Sequence, residues 1–285
     1  MKNIPIRHIT AAPKGKDIAL SFHIRTVRDV LKEKDMTQEL HRHDFYYVLA
    51  LKKGAGTHVI DFTSHKIVDD TVFFIRPGQV HQLTLKAGST GYLMAFNNDF
   101  YHAQDEVSSQ LLRKAASVNL YQVGTAGIKK VLSLLSYIWD EYTHQQEGYQ
   151  EVIKANLSIL FIELVRQNTQ VTSGKPDSYA QQRLQDFTEL LEKRIYTCKQ
   201  VSQYADMLNL SPYQLNAITK ESLGKTGSEV IKEYIILESK RYLLATSNQV
   251  NQIAYQLGYE DVSYFIRFFK RHTGFSPEAF RTNFK

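Results

Sequence analysis

The stretch Gln252-Ile253-Ala254-Tyr255-Gln256-Leu257-Gly258-Tyr259-Glu260-Asp261, continuing through Ser263-Tyr264-Phe265-Ile266-Arg267-Phe268-Phe269-Lys270, decides how the end of this chain folds. Its apolar residues recur at helical spacing, break at Gly258 and resume after Asp261. Glycine tolerates the left-handed backbone that closes a helix, and aspartate caps the next helix by accepting its free N–H groups. The spacing predicts a short helix, a sharp turn and a second helix. In the second helix Phe265, Phe268 and Phe269 share one face, and Ser263, Arg267 and Lys270 share another. A helix-turn-helix needs both: an anchored side and a polar, cationic side for a DNA groove.

An earlier segment repeats this pattern at an offset of roughly fifty residues. Val201, Ala205 and Leu208 have the spacing of Val250, Ala254 and Leu257, and Gly224 answers Gly274. The second helix of this copy opens Ser211-Pro212-Tyr213-Gln214, a serine cap, a proline in the first turn and a glutamine able to reach back. Glu229 to Thr246 reads as a longer helix that joins the copies. Two helix-turn-helix units on a rigid connector can reach successive major grooves. A plain bundle of repeated helical hairpins is the other reading. Against it, Tyr213, Asn216 and Lys220 lie away from the apolar Leu215 and Ile218, as Ser263, Arg267 and Lys270 do from Phe265 and Phe268.

Upstream the period changes. From about Ile18 to Phe100 the chain reads as short strands, among them Phe45–Leu51, Thr57–Phe62, Thr71–Ile75 and Tyr92–Phe96, with turn signals such as Gly54-Ala55-Gly56 and Pro77-Gly78 between them. That pattern suggests an antiparallel sandwich or barrel. Gly127 to Gln146 and Tyr149 to Gln167 read as amphipathic helices. Ile153, Leu157, Leu160 and Leu164 draw a seam along the second, which packs either on its own barrel or, the reading preferred here, against a second subunit. The polar run Ser173-Gly174-Lys175-Pro176-Asp177-Ser178 marks a linker.

The chain has 285 residues, room for two cores, and a formal net charge of +6 that suits a polyanionic partner without demanding one. Its single cysteine, Cys198, excludes an intrachain disulfide and a cysteine-based zinc site. Neither a signal peptide nor a membrane-spanning segment is expected, so the expected compartment is the cytoplasm.

The run Ile253-Ala254, Leu257-Gly258-Tyr259-Glu260-Asp261, Ser263-Tyr264-Phe265, Arg267-Phe268-Phe269-Lys270, Thr273-Gly274-Phe275-Ser276-Pro277 and Phe280-Arg281 closely resembles the signature of the AraC family of bacterial transcription regulators. The resemblance covers roughly Gln181 to Lys285. It departs in the first copy, where Ala217 and Thr219 stand in place of the family's frequent arginine and phenylalanine. Alanine cannot make the bidentate contact of arginine with guanine, worth about 1–3 kcal/mol of discrimination. More loosely, His41-Arg42-His43-Asp44-Phe45-Tyr46-Tyr47, Gly54-Ala55-Gly56 and Arg76-Pro77-Gly78-Gln79-Val80-His81 resemble a cupin-like sensor domain.

His41 and His43 are two apart, so on a strand they point to one face, and His81 could join them across a small barrel. Three readings stand: a metal site, hydrogen-bonded strand residues, or polar contacts in an organic-ligand pocket. Metal-binding cupins usually add a glutamate, and Tyr46, Tyr47 and Val48 occupy that neighbourhood here. No metal or other cofactor is therefore expected. Phe45, Tyr47, Phe62, Phe74 and Tyr92 could form pocket walls.

The expected fold is α+β in two domains: a cupin-like antiparallel β-barrel with two following helices (1–170), a linker (171–180), and an all-α domain (181–285). Its two helix-turn-helix units lie at about 198–223 and 248–273. The expected function is a sequence-specific DNA-binding regulator of the AraC type, without catalytic residues. A small effector is expected to contact His41, His43, Tyr47 and His81. The expected DNA contacts are Tyr213, Gln214, Asn216, Lys220, Val262, Ser263, Ile266, Arg267, Lys270 and Arg271, with Arg267 foremost. Expected partners are double-stranded DNA, a second copy of the chain and, if it activates as the family resemblance implies, RNA polymerase. The alternatives are a metal-dependent cupin enzyme fused to a DNA-binding domain and a regulator without effector.

Overall fold

The structure, a computed structural model, describes residues 6–9, 21–97, 99–101, 106–169 and 178–284. The chain divides into two compact units, Ile4–Ser173 and Gly174–Lys285. Residues 171–177 of the expected linker lie outside the described residues, and its last three positions already open a helix.

In the first unit, among the described residues, ten strands form two sheets. The strands are β1 (Ile6–Arg7), β2 (Phe22–Thr26), β3 (Met36–His43), β4 (Tyr46–Lys53), β5 (Gly56–Ile60), β6 (Thr63–Ile67), β7 (Thr71–Ile75), β8 (Val80–Leu85), β9 (Thr90–Phe96) and β10 (Leu120–Gln122). One sheet has the order β1-β3-β8-β5-β6 and the other β10-β7-β4-β9-β2. All pairs are antiparallel except β1 with β3. Four helices accompany them: α1 (Val27–Leu31), α2 (Glu106–Ala116), α3 (Gly124–His144) and α4 (Tyr149–Thr169).

The central strands β4 and β7 of the second sheet are buried on both faces over most of their length. Leu49, Leu51, Phe73 and Ile75 pack with Ile60, Ile67, Leu83 and Leu85 of the first sheet. Their neighbours Val48, Ala50, Val72 and Phe74 point the other way and pack with Ile128, Val131, Leu135 and Phe161 of the helices. The alternation of side chains along a strand sends one set to each side. Both sides are apolar, so β4 and β7 read as near-continuous hydrophobic runs.

This layering corrects the preferred reading of the α4 seam. Ile153, Leu157, Leu160 and Leu164 are fully buried within their own unit, where Phe161 stacks near Phe74 and Phe96 at 5.9 and 5.8 Å. A seam already covered by its own sheet offers nothing to a second subunit. The sequence reading undercounted the apolar area of a sheet with two dry faces. The expected strand Thr57–Phe62 is also shorter: it ends at Ile60, because Asp61 (φ 43°) and Phe62 (φ 71°) form the left-handed two-residue turn into β6.

The second unit is helical: α5 (Ser178–Arg194), α6 (Val201–Met207), α7 (Pro212–Leu223), α8 (Gly227–Ala245), α9 (Val250–Gln256), α10 (Val262–Thr273) and α11 (Pro277–Asn283). The repeat in the sequence is a repeat in space, since α6–α7 and α9–α10 have the same helix lengths. The small residues Ala205 and Ala254 are fully buried where each helix pair approaches. The connector α8 starts earlier than Glu229 because Thr226 caps it, with the Glu229 carboxylate accepting the Thr226 N–H at 2.7 Å. Arg281, itself buried, donates to the carbonyls of Leu243 and Asn248 at 3.0 and 2.6 Å and so satisfies the open end of α8. Gly258 has φ 73°, and a Cβ there would lie 1.9 Å from the Tyr196 carbonyl oxygen. Lys199 Nζ donates to the Gly258 carbonyl at 3.1 Å. The second turn thus rests directly on the backbone that precedes the first repeat.

Candidate nucleic-acid interface and ligand cavity

Helices α7 and α10 are held the same way. Leu215 and Ile218 bury the inner face of α7; Phe265 and Phe269 bury that of α10. Ser211 Oγ accepts the Gln214 N–H at 3.2 Å, and Asp261 Oδ1 accepts those of Ser263 and Tyr264 at 2.7 and 3.1 Å. These caps fix where each helix begins, and so which side chains face outward.

On α10 Ser263, Arg267, Lys270 and Arg271 are exposed, with Val262 and Ile266 half-buried beside them. The Arg267 guanidinium lies 3.8 Å from the Asp261 carboxylate, with both groups mostly in solvent. Such a pair contributes little and does not hold the arginine back. On α7 Tyr213 is 82% exposed and Lys220 is exposed. Gln214 and Asn216 are partly engaged elsewhere: Gln214 Oε1 accepts the Ser211 N–H at 2.8 Å, and Asn216 Oδ1 accepts the Gly227 N–H at 2.9 Å. Their carbonyl oxygens serve the start of α7 and of α8. Ala217 is exposed at the position that Arg267 occupies one repeat later. Cations of this kind position a protein on phosphates, and arginine can also read guanine.

The first unit holds a cavity of 240 Å³, lined by Arg7, His8, Ile9, His23, Arg25, Val30, Gln38, His43, Phe45, Tyr47, Leu93 and Ala95. Of the four expected effector contacts, His43 and Tyr47 reach this wall, while His41 and His81 do not. Of the expected aromatic walls only Phe45 and Tyr47 belong to it. Phe74 faces the helices, Tyr92 packs at the edge of that same core, and Phe62 sits in the β5–β6 turn.

Behind the wall lies a buried histidine cluster with a member the sequence reading missed, His58. His41 Nε2 is 3.1 Å from His43 Nε2, and His58 Nε2 is 2.8 Å from His81 Nδ1. His41 Nδ1 donates to the Glu39 carbonyl at 2.7 Å, just past the bulge in β3. The signal for His58 was its parity with Ile60 on β5, since both point inward. Burial lowers His41 to about 4 and both His43 and His58 to about 3, and it lowers His81 further in the same direction. Arg7 adds repulsion at His41, His43 and His81. The cluster is therefore neutral at pH 7.

Ring nitrogens of His41, His43 and His81 lie within 4.8 Å of one another, close enough to converge on a divalent ion. Among the described residues no carboxylate joins this group, and the Tyr47 hydroxyl is buried without a hydrogen-bond partner. The Arg7 charge that opposes protonation opposes a metal cation too.

No helix among the described residues is long and apolar enough to cross a membrane. A family model described as a helix-turn-helix domain matches residues 204–283, and one described as an AraC-like ligand binding domain matches residues 32–161. The chain is 21% identical over 249 residues to the HTH-type transcriptional activator RhaS of Enterobacter sp. (strain 638), covering 85% of this chain and 86% of that protein. It is 23% identical over 250 residues to RhaS of Escherichia coli O9:H4 (strain HS), with the same coverage. Among solved structures, unsaturated fatty acid bound wild-type ToxT from Vibrio cholerae strain SCE256 matches at 18% identity and TM-score 0.43, over 92% of this chain and 95% of that chain. With a ligand-binding domain followed by a helix-turn-helix domain, the chain belongs to the AraC family of DNA-binding transcription regulators.

Proposed function

We propose that this regulator takes most of its sequence discrimination from α10 and answers to a small effector held in the cavity of its first unit. The observation that carries this is the exposed face of Ser263, Arg267, Lys270 and Arg271 on a helix whose opposite side is locked by buried aromatics. Arg267 reads a base edge; Lys220, Lys270 and Arg271 hold phosphates; Tyr213 supports contact from α7. In this proposal residues 1–170 sense, 171–180 link and 181–285 bind DNA in the cytoplasm. The effector acts by binding the DNA-competent and incompetent arrangements with different affinity.

Activation through contact with RNA polymerase is the mode proposed, because the RhaS relatives are named transcriptional activators. A homodimer remains part of the proposal. Its contact moves to the outer surfaces of α3 and α4, where Tyr137 and Ile159 are exposed, since the inner seam is occupied. Footprinting on the protein's own upstream region tests the reading. The expected result is protection of two adjacent major-groove segments per chain that fades with salt. A single isolated segment, or binding indifferent to salt, overturns it.

The three-histidine cluster favours one second reading, a metal-dependent enzyme domain joined to a DNA-binding one. Stoichiometric metal in purified protein, lost in a His41→Ala/His43→Ala variant, would support it, and metal-free protein of full DNA-binding activity removes it.

A further inference from the structure

The charge pattern of the cavity selects the chemistry of its occupant. Arg7 and Arg25 both line it, and among the described residues no Asp or Glu does. Arginine keeps its charge at every physiological pH. Among the described residues neither guanidinium has a carboxylate partner. Arg25 Nε donates to His23 Nε2 at 2.8 Å, which orients the group.

The polar groups beside them are neutral. Burial, then the Arg25 charge, lowers His23 to about 4, and burial holds His43 at about 3. Burial likewise keeps Tyr47 a phenol, pushing its ionisation up. The Tyr47 hydroxyl and His43 Nδ1 are buried with no partner among the described residues. A buried polar atom without a partner is costly, so an occupant that pairs with it is favoured. Ile9, Phe45 and Leu93 supply an apolar remainder.

We infer that this cavity takes a small organic anion, its carboxylate held by Arg7 and Arg25, with the Tyr47 hydroxyl and His43 as neutral contacts. A guanidinium fork matches a carboxylate in two parallel hydrogen bonds, which adds geometric specificity to the charge attraction. A cation would meet two uncompensated positive charges. A polyol would leave those charges unpaired while finding few acceptors. At 240 Å³ the space has the scale of a small organic molecule. The inference rests on the proposal that the first unit binds an effector.

The test uses the full chain, with thermal shift and titration calorimetry at constant ionic strength. The probes are acetate, pyruvate, succinate and benzoate, against the matching primary amides and glycerol. At least one acid binds and its amide does not. Arg25→Gln and Arg7→Gln weaken that binding by about tenfold or more, and Arg25→Lys restores part of it, each with an unchanged far-UV spectrum. Neutral probes that bind as well as the acids, and equally in both arginine variants, overturn the anion while leaving an effector in place. Acid binding that ignores both substitutions also overturns it. Silence from acids and neutral probes alike overturns the anion and the effector together.

Discussion

Helices α7 and α10 hold equivalent places in the two repeats, with twelve residues each, an N-terminal side-chain cap and a left-handed glycine at the end. Their exposed chemistry differs. Helix α10 carries Arg267, Lys270 and Arg271 with no acid, whereas α7 carries Lys220 and Glu221 and has Ala217 opposite Arg267. The buried faces have diverged too: Leu215, Ile218 and Thr219 line that of α7, and Phe265 and Phe269 that of α10, with Thr219 standing where Phe269 stands one repeat later. One scaffold thus carries a strongly cationic exposed face in one repeat and a nearly uncharged one in the other. Fold and reading capacity are set by different faces of the same helix.

The largest expected effect breaks the symmetry of the turns. In the first repeat Asn209 takes the left-handed position (φ 54°), and in the second Gly258 does. Gly258 also lies close against foreign backbone, at the Tyr196 carbonyl. Gly258→Ala should therefore cost more than about 3 kcal/mol in denaturant unfolding, above the 1–3 kcal/mol of a strained backbone alone. Asn209→Gly should stay within about 1 kcal/mol, since glycine adopts the left-handed backbone at no steric cost. Equal costs at the two positions would mean that the Tyr196 contact is immaterial.

Next comes base reading. Arg267→Ala should lose about 1–3 kcal/mol on the preferred operator and relax discrimination at one base pair. Ala217→Arg should gain discrimination in the other half-site. Competition binding across operator variants checks both, and a uniform loss on every sequence for Arg267→Ala would assign that arginine to a phosphate.

Smaller still are the phosphate contacts. Lys270→Ala and Lys220→Ala should each weaken binding to all sequences alike and reduce the salt slope by about one. Glu221→Gln should do the reverse for α7. If Lys220→Ala leaves the slope unchanged, α7 does not lie against the backbone at all.

The smallest effect concerns pH. Partial burial, then Lys232 and Arg271, hold His272 below its ordinary range. Its proton is therefore largely absent at pH 7 and returns as pH falls below the ordinary value near 6.5. His272→Gln should leave DNA affinity unchanged from pH 7 to 8. A loss there would mean that the imidazole is charged when bound.

The second unit was legible because its signals are local. Caps, helix-ending glycines and a three-to-four spacing lie within each repeat, so the repeat could be aligned against itself. The first unit was legible only in part. β4 and β7 announced themselves as apolar runs, but a run does not say that two different layers cover it. For the same reason the Ile153–Leu164 seam was correctly seen as buried and assigned the wrong cover. His58 escaped because its partner His81 is a strand neighbour far along the chain. Arg7 and Arg25 escaped for a related reason: each is an ordinary basic residue until β1 and β2 bring it to the cavity. Gln214 and Asn216 looked free to read bases, and three-dimensional contact shows their oxygens capping helices.

The contact of Gly258 with Tyr196 has a consequence for the operator. A connector helix alone would let the two readers swing, but backbone seated on backbone fixes their phase. Inserting one base pair between the half-sites turns one of them by about 35° around the duplex, at 10–10.5 base pairs per turn. A protein pinned in this way follows neither that rotation nor the added rise. Its promoters should tolerate changed bases far better than a changed spacer length.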